Sequence, residues 1–154
     1  MSCGCHTTRG RLIYAEDMKK LTYLAVPYTH KEHHMMVARH LIVNIVAAQL
    51  MAQGLYIYSP ISHTHPIAEA SCGKLPRGWD FWQGYDRAIL TNCEKLIVLR
   101  LPGWDTSTGV QAEIKLATEM GIPVEYIDFD DMKYYEEVVA ICKVNENLKE
   151  RKSS

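Results

Sequence analysis

Two stretches of this 154-residue chain combine acidic, aromatic and small residues at spacings that could build a site. The first runs Gly103-Trp104-Asp105-Thr106-Ser107-Thr108-Gly109-Val110-Gln111-Ala112-Glu113. Gly109 opens a predicted helix, and first-turn N–H groups have no partner inside their own helix, so they can meet a polar or anionic ligand. Glu113 follows one turn later on the same face. Its carboxylate points into a cleft if Leu116, Ala117 and Met120 face a sheet. The alternative is a solvated helical glutamate beside Lys115 or Lys95.

The second stretch is Gly78-Trp79-Asp80-Phe81-Trp82-Gln83-Gly84-Tyr85-Asp86. Asp80 suits the positive end of a helix dipole. Asp86 lies on a helix otherwise rich in aromatic residues, where Trp82 reads as core packing and Tyr85 has it as one alternative. Trp79 stands at the helix mouth, where a flat base could stack. The histidines give weaker signals. His63 and His65 flank Thr64 in a predicted loop without an obvious third ligand, and His30, His33, His34 and His40 spread over one helix with Glu32 expected to point elsewhere. Cys3, Cys5 and His6 lack a second half at zinc-finger spacing, so no metal site is expected. There is no G-x-G-x-x-G, no G-x-x-x-x-G-K-[ST] and no G-x-S-x-G, which removes the usual support for dinucleotide, P-loop and α/β-hydrolase chemistry.

Positioning these groups requires a frame, and apolar patterning supplies one. Residues 21–26 (LTYLAV) form a strand ending at Pro27, and 30–53 carry three- and four-residue apolar spacing up to Gly54. A second strand covers 55–59, stopped by Pro60. Residues 61–77 show no clear period and read as a long loop, of the kind that often serves as a lid. A helix over 78–92 follows, then a strongly apolar strand over 95–101. The helix 108–120 has Ser107 or Thr108 as its cap and Gly121 as its stop. A fourth strand spans 123–127 and a last amphipathic helix runs from 130 to about 149. Strands alternating with helices imply a parallel sheet covered on both faces, a three-layer flavodoxin-like or Rossmann-like α/β domain with four or five strands. Ligands bind such sheets beyond the carboxyl ends of the strands. Those ends lead into Pro27 and Tyr28, Ser59, and the 101–109 segment with Asp105.

The domain is expected over 21–149, between a flexible leader (1–20) and a loose tail (150–154). A formal charge of -1 with no basic stripe argues against a nucleic-acid polymer or an anionic membrane as partner. No apolar run is read as long enough for a membrane span, and the opening residues lack the apolar middle of a signal peptide, so a cytoplasmic location is expected. Five scattered cysteines do not form a secreted disulfide framework.

The arrangement resembles the nucleoside 2-deoxyribosyltransferase-like superfamily, which includes nucleoside deoxyribosyltransferases and nucleoside monophosphate N-glycosidases. The segment Tyr23-Leu24-Ala25-Val26-Pro27-Tyr28 is similar to the Y-[LI]-A-x-P opening, Asp86-Arg87-Ala88-Ile89 to the aspartate-bearing helix, Gly109, Glu113 and Ala117 to the glutamate helix, and Pro123-Val124 to the return strand. Lys115 stands where many members have glycine. GWDFWQGYDRAIL and LPGWDTSTGVQAEI most resemble an uncharacterised branch, a domain of unknown function met in bacterial and phage proteins. The resemblance covers about 21–126. It implies N-glycosidic cleavage or transfer on a nucleoside or nucleoside 5′-monophosphate, with Glu113 as nucleophile, Asp86 orienting the base or protonating it, and Tyr23 holding Glu113 or the sugar. Ser107, Thr108 and Gly109 would bind the 5′ end, with Pro27, Tyr28, Ser59, Trp79, Asp80 and Asp105 as further substrate contacts. No cofactor is implied, and a homo-oligomer, dimer or tetramer, is. The alternative is a non-catalytic nucleotide-binding or sensor domain of the same fold.

Overall fold

Side chains alternate along a strand, so a strand buried on both sides must be apolar at every position. The two central strands obey this after their first residues, Thr22 and Lys95. The computed structural model describes residues 20–76 and 78–153; most of the expected leader, with Cys3, Cys5 and His6, lies outside them. Strand β1 is Thr22–Ala25, β2 is Ile57–Tyr58, β3 is Lys95–Leu99 and β4 is Val124–Ile127. Every pairing is parallel, in the order β2-β1-β3-β4. Tyr23 pairs with Tyr58 on one side and Leu96 on the other, and Leu99 pairs with Ile127.

The helices are α1 (His33–Ala52), α2 (Pro60–Ala70), α3 (Trp79–Leu90), α4 (Thr108–Glu119) and α5 (Met132–Ser153). Leu24, Val26, Ile97 and Leu99 point to one face and pack with Ile42, Val43 and Val46 of α1 and Tyr135 and Val138 of α5. Tyr23, Ala25, Leu96 and Val98 point to the other, against Leu90 of α3 and Val110 and Ala117 of α4. The result is the expected three-layer α/β domain, with four strands and, among the described residues, five helices. Chain order reverses between β1 and β3, which puts the topological switch point where those two strands end.

Three expectations need correction. Residues 61–77 are not one long loop: 60–70 form α2, and 71–76 alone of the described stretch stay irregular. Pro60 occupies the first turn, where its missing N–H costs nothing, and the Ser59 hydroxyl caps the helix by accepting from Ser62 N at 3.3 Å. Pro66 lies inside this helix and, with the histidines, hides its period. The tail is not loose either, since α5 continues through Ser153. Finally, α1 is long and apolar enough, by length and composition, to cross a membrane. That apolarity is explained by its packing both on the sheet and against α5 beside it, with Ile42 and Val43 fully buried.

Candidate functional site

Beyond the carboxyl ends of β1 and β3 lies a cleft of about 410 Å³, within the usual range for small-ligand sites. Its walls come from the β1 exit (Val26, Tyr28, Thr29), the start of α2 (Pro60, Ile61, Thr64), α3 and the first turns of α4. Glu113 and Asp86 both line it, although they are only 6% and 7% exposed. Helical spacing explains the depth of Glu113. It shares a face with Val110 and Ala117, both buried against the sheet. The lysines that might have drawn it outward are engaged elsewhere, Lys95 with Glu125 at 2.9 Å and Lys115 with Glu119 at 3.9 Å. Met120, expected to face the sheet, is exposed.

Tyr23 approaches Glu113 from beneath. It is wholly buried, and its hydroxyl donates to Glu113 Oε1 at 2.6 Å across 90 residues of sequence. Burial, then the neighbouring Glu113 charge, hold the phenol well above its ordinary value, so it stays a donor. Burial also raises the Glu113 carboxyl to about 8; the Tyr23 hydrogen bond opposes this, and the Asp86 charge adds to it. Asp86 is raised to about 6 by burial. Its Oδ1 is buried without a hydrogen-bond partner among the described residues, as is the Tyr58 hydroxyl. The Tyr58 ring lies 6.0 Å from that of Tyr23, and burial pushes its phenol up to about 12. A buried carboxylate oxygen with unused accepting capacity is a natural partner for a ligand donor.

The first turn of α4 forms the facing wall through Thr106, Ser107, Thr108 and Gly109. Ser107 is the cap, its hydroxyl accepting from Val110 N at 3.4 Å. Gly109 matters for close approach: a Cβ there would sit 3.2 Å from Cε3 of Trp79. The indole thus packs against the start of α4 while lining the cleft with Asp80. Trp82 also lines the cleft rather than the core, its Nε1 donating to Pro76 O at 2.8 Å. Tyr85, for which core packing was one alternative, is 47% exposed, with His63 Nε2 at 3.1 Å from its hydroxyl.

Of the residues expected at the site, Glu113, Asp86, Tyr28, Trp79, Asp80, Ser107, Thr108 and Gly109 are brought together around the cleft, with Tyr23 under its floor. Three are not. Pro27 is buried behind the β1 exit, Ser59 is spent on capping α2, and Asp105 is exposed on the loop outside the cleft lining. One buried group escaped the sequence reading and another, weighed only as a loop residue, has a different place. Arg39 of α1 donates to the carbonyls of Tyr28, Thr29 and Pro102 at 3.0–3.2 Å, tying the β1 exit to the β3 exit. Its signal was present, since it shares the helical face of Ile42, Val43 and Val46. Gly103 makes room for it, as a Cβ there would lie 3.2 Å from Arg39 Nη2. The other is His65 of α2, whose Nδ1 lies 2.7 Å from the Tyr28 hydroxyl and whose ring stacks on His40 at 4.3 Å, which docks α2 onto the cleft wall. Nothing local in the sequence predicts that contact across 37 residues.

His34 pairs with Glu146 at 2.8 Å and, against expectation, has Glu32 at 3.5 Å, joining the start of α1 to α5. Among the described residues no three histidine, cysteine or carboxylate groups converge to hold a metal ion. The family model described as a domain of unknown function, DUF1937, matches residues 20–128, a span that contains the whole cleft. No curated protein matches the chain.

Proposed function

The chain belongs to the DUF1937 family, and we propose that its cleft binds a nucleoside and that Glu113 and Asp86 cleave or transfer the N-glycosidic bond. The observation that carries this reading is the pair of buried carboxyl groups at the switch point, one braced by Tyr23 and the other with an oxygen unpartnered. Breaking an N-glycosidic bond builds positive charge on the sugar ring, and a carboxylate beside the anomeric carbon stabilises it and can capture the sugar. The departing base needs a proton or a hydrogen bond, which a second carboxyl can supply. The similarity of the motifs around Tyr23, Asp86 and Glu113 to the deoxyribosyltransferase-like superfamily supports the same assignment.

Proton placement follows from coupling. With values of about 6 and about 8, the pair holds one proton between those pH values, and in the open cleft burial favours Glu113 as its carrier. Charge developing on a sugar beside Glu113 reverses that preference, ionising Glu113 and moving the proton to Asp86, next to the leaving base. Tyr23 is a positioning residue here, holding Glu113 Oε1. Trp79 offers a stacking face. The described lining carries Asp80, Asp86 and Glu113 and no lysine or arginine, which favours a nucleoside over its 5′-monophosphate. A 5′ hydroxyl would meet Ser107, Thr108 and the Gly109 amide.

The test is chromatography of free base released from a panel of nucleosides and 5′-monophosphates. Glu113→Gln should lower kcat/KM at least 10³-fold, about 4 kcal/mol of transition-state stabilisation. Full activity in that variant would remove the assignment. A second reading, a binding module without turnover, draws on the same buried carboxyl, since a neutral Glu113 can hydrogen-bond a ligand without ionising. It is distinguished by a nucleoside-dependent rise in Tm with no base released.

A further inference from the structure

Helix α3 turns one stripe toward the cleft. Trp79, Trp82 and Asp86 recur at the three- and four-residue spacing of a single helical face, and all three line the cleft, with Asp80 beside them at the helix start. The Trp82 indole N–H is engaged by Pro76 O at 2.8 Å, so this residue meets a ligand with its ring and not with its donor. Apart from the Tyr28 phenol, every ionisable side chain of the described lining is a carboxyl: Asp80, Asp86 and Glu113.

Asp86 is the informative member. It is 7% exposed, and its Oδ1 has no partner among the described residues. Between about pH 6 and about pH 8 it is the ionised carboxyl of the pair, Glu113 holding the proton. A carboxylate held out of water is costly unless an opposite charge meets it. A neutral base can offer this anion a hydrogen bond but leaves its charge uncompensated. A ring bearing a positive charge compensates it, and the two indoles favour the same ring, because a cation is drawn to their electron-rich faces. Building on the glycosidic reading above, we infer that the base subsite beside Asp86 takes a permanently cationic aromatic ring, so that the substrate class is an N-glycoside of a pyridinium-type base.

The chemistry closes without an added acid. Heterolysis of the C1′–N bond leaves the electron pair on the ring nitrogen, and the base departs neutral. Positive charge passes from the ring beside Asp86 to the sugar beside Glu113, while the proton passes from Glu113 to Asp86. Each carboxyl is thus ionised when the positive charge is next to it. Glu113 bonds to C1′, water hydrolyses that ester to restore protonated Glu113 and free the sugar, and Asp86 returns its proton to solvent.

Two ligands of nearly one shape separate charge from fit: nicotinamide riboside, with a cationic ring, and its neutral 1,4-dihydro form. Calorimetry on full-length Glu113→Gln keeps the C1′–N bond intact and mimics protonated Glu113. At about pH 7.5 the cationic form should bind at least about 10-fold more tightly, and this preference should fade as pH falls through about 6, where Asp86 takes up its proton. Adding Asp86→Asn should bring the two ligands to near parity at either pH. The pH dependence reads the same charge without altering Asp86, so it decides the matter if that variant does not fold. Equal or tighter binding of the dihydro form, a preference indifferent to pH or to Asp86→Asn, or no binding of either ligand would each overturn the proposal. Base release by the wild-type chain is read separately. Release from neutral nucleosides without the charge preference removes the cationic class and leaves the glycosidic reading standing. The preference without release from any nucleoside supports the cationic subsite and removes the glycosidic reading.

Discussion

Between the sheet and the α1–α5 layer, Leu24, Ile42, Val43, Ile97 and Leu99 fill the interior with apolar side chains, and the groups at its margin that carry charge, Arg39 and His34, have partners, although Arg39 Nε and the Tyr135 hydroxyl find none among the described residues. At a similar depth on the α3–α4 side stand Tyr23, Asp86 and Glu113, two of them carboxyl groups held away from water. The first layer gives up no folding free energy to a buried carboxyl. The second surrenders some: burying a carboxyl raises its pKa, and every unit of that rise is about 1.4 kcal/mol of folding stability given up once the unfolded chain ionises. A structure that carries such a penalty on one face and not on the other marks where its chemistry lies.

The largest effect that sharpens this contrast concerns pH. Glu113 ionises near 4.5 when unfolded and near 8 when folded, and Asp86 near 3.8 and near 6. In both windows the folded state holds more protons than the unfolded state, so stability present at low pH is lost as pH rises through them. Glu113→Gln, which has no proton to lose, should flatten that slope and be more stable than wild type at pH 8 by roughly 4 kcal/mol, read from urea titrations at several pH values. The opposite face should respond in the opposite sense. Ile42→Ala removes a fully buried side chain and should lose about 3 kcal/mol at every pH, while base release per folded molecule stays as in wild type. A pH-independent Glu113→Gln difference, or an Ile42→Ala loss confined to high pH, would break the comparison.

Smaller effects probe the supports of the site. Tyr23→Phe leaves Glu113 Oε1 without its donor and should destabilise by about 2 kcal/mol. Because that hydrogen bond lowers the Glu113 pKa, its loss should also move the alkaline limb of the pH–rate profile upward. Ser107→Ala removes the α4 cap for about 1 kcal/mol. If Ser107 also meets the ligand, KM should rise with kcat little changed.

Much of the frame was legible in the chain. The run 95–99 is apolar at nearly every position because both of its faces are covered, and the 3.6-residue period of α4 follows from its one covered face, whereas α1 is apolar beyond its covered side, with Leu41 and Met51 exposed. Helix α2 was hidden because Pro60 and Pro66 look like breaks unless it is known that one is the first residue of a helix and the other is tolerated within it. The cleft residues were legible in part, through Gly109 and Glu113 one turn apart. Pro27, Ser59 and Asp105 were misplaced because lying at a strand exit does not say which way a side chain turns.

By itself, the sequence determined the order of elements, the layered parallel architecture and the acidic residues worth testing, since local periodicity and turn chemistry act over a few residues. Only the tertiary structure decided that Tyr23 reaches Glu113, that Asp86 keeps a buried oxygen unpartnered, that Arg39 clasps two strand exits and that His65 docks α2. Those are contacts spanning 90, 63 and 37 positions of the chain, or consequences of how far a group lies from water. Burial and long-range pairing are properties of the packed chain and have no counterpart in any short stretch of it.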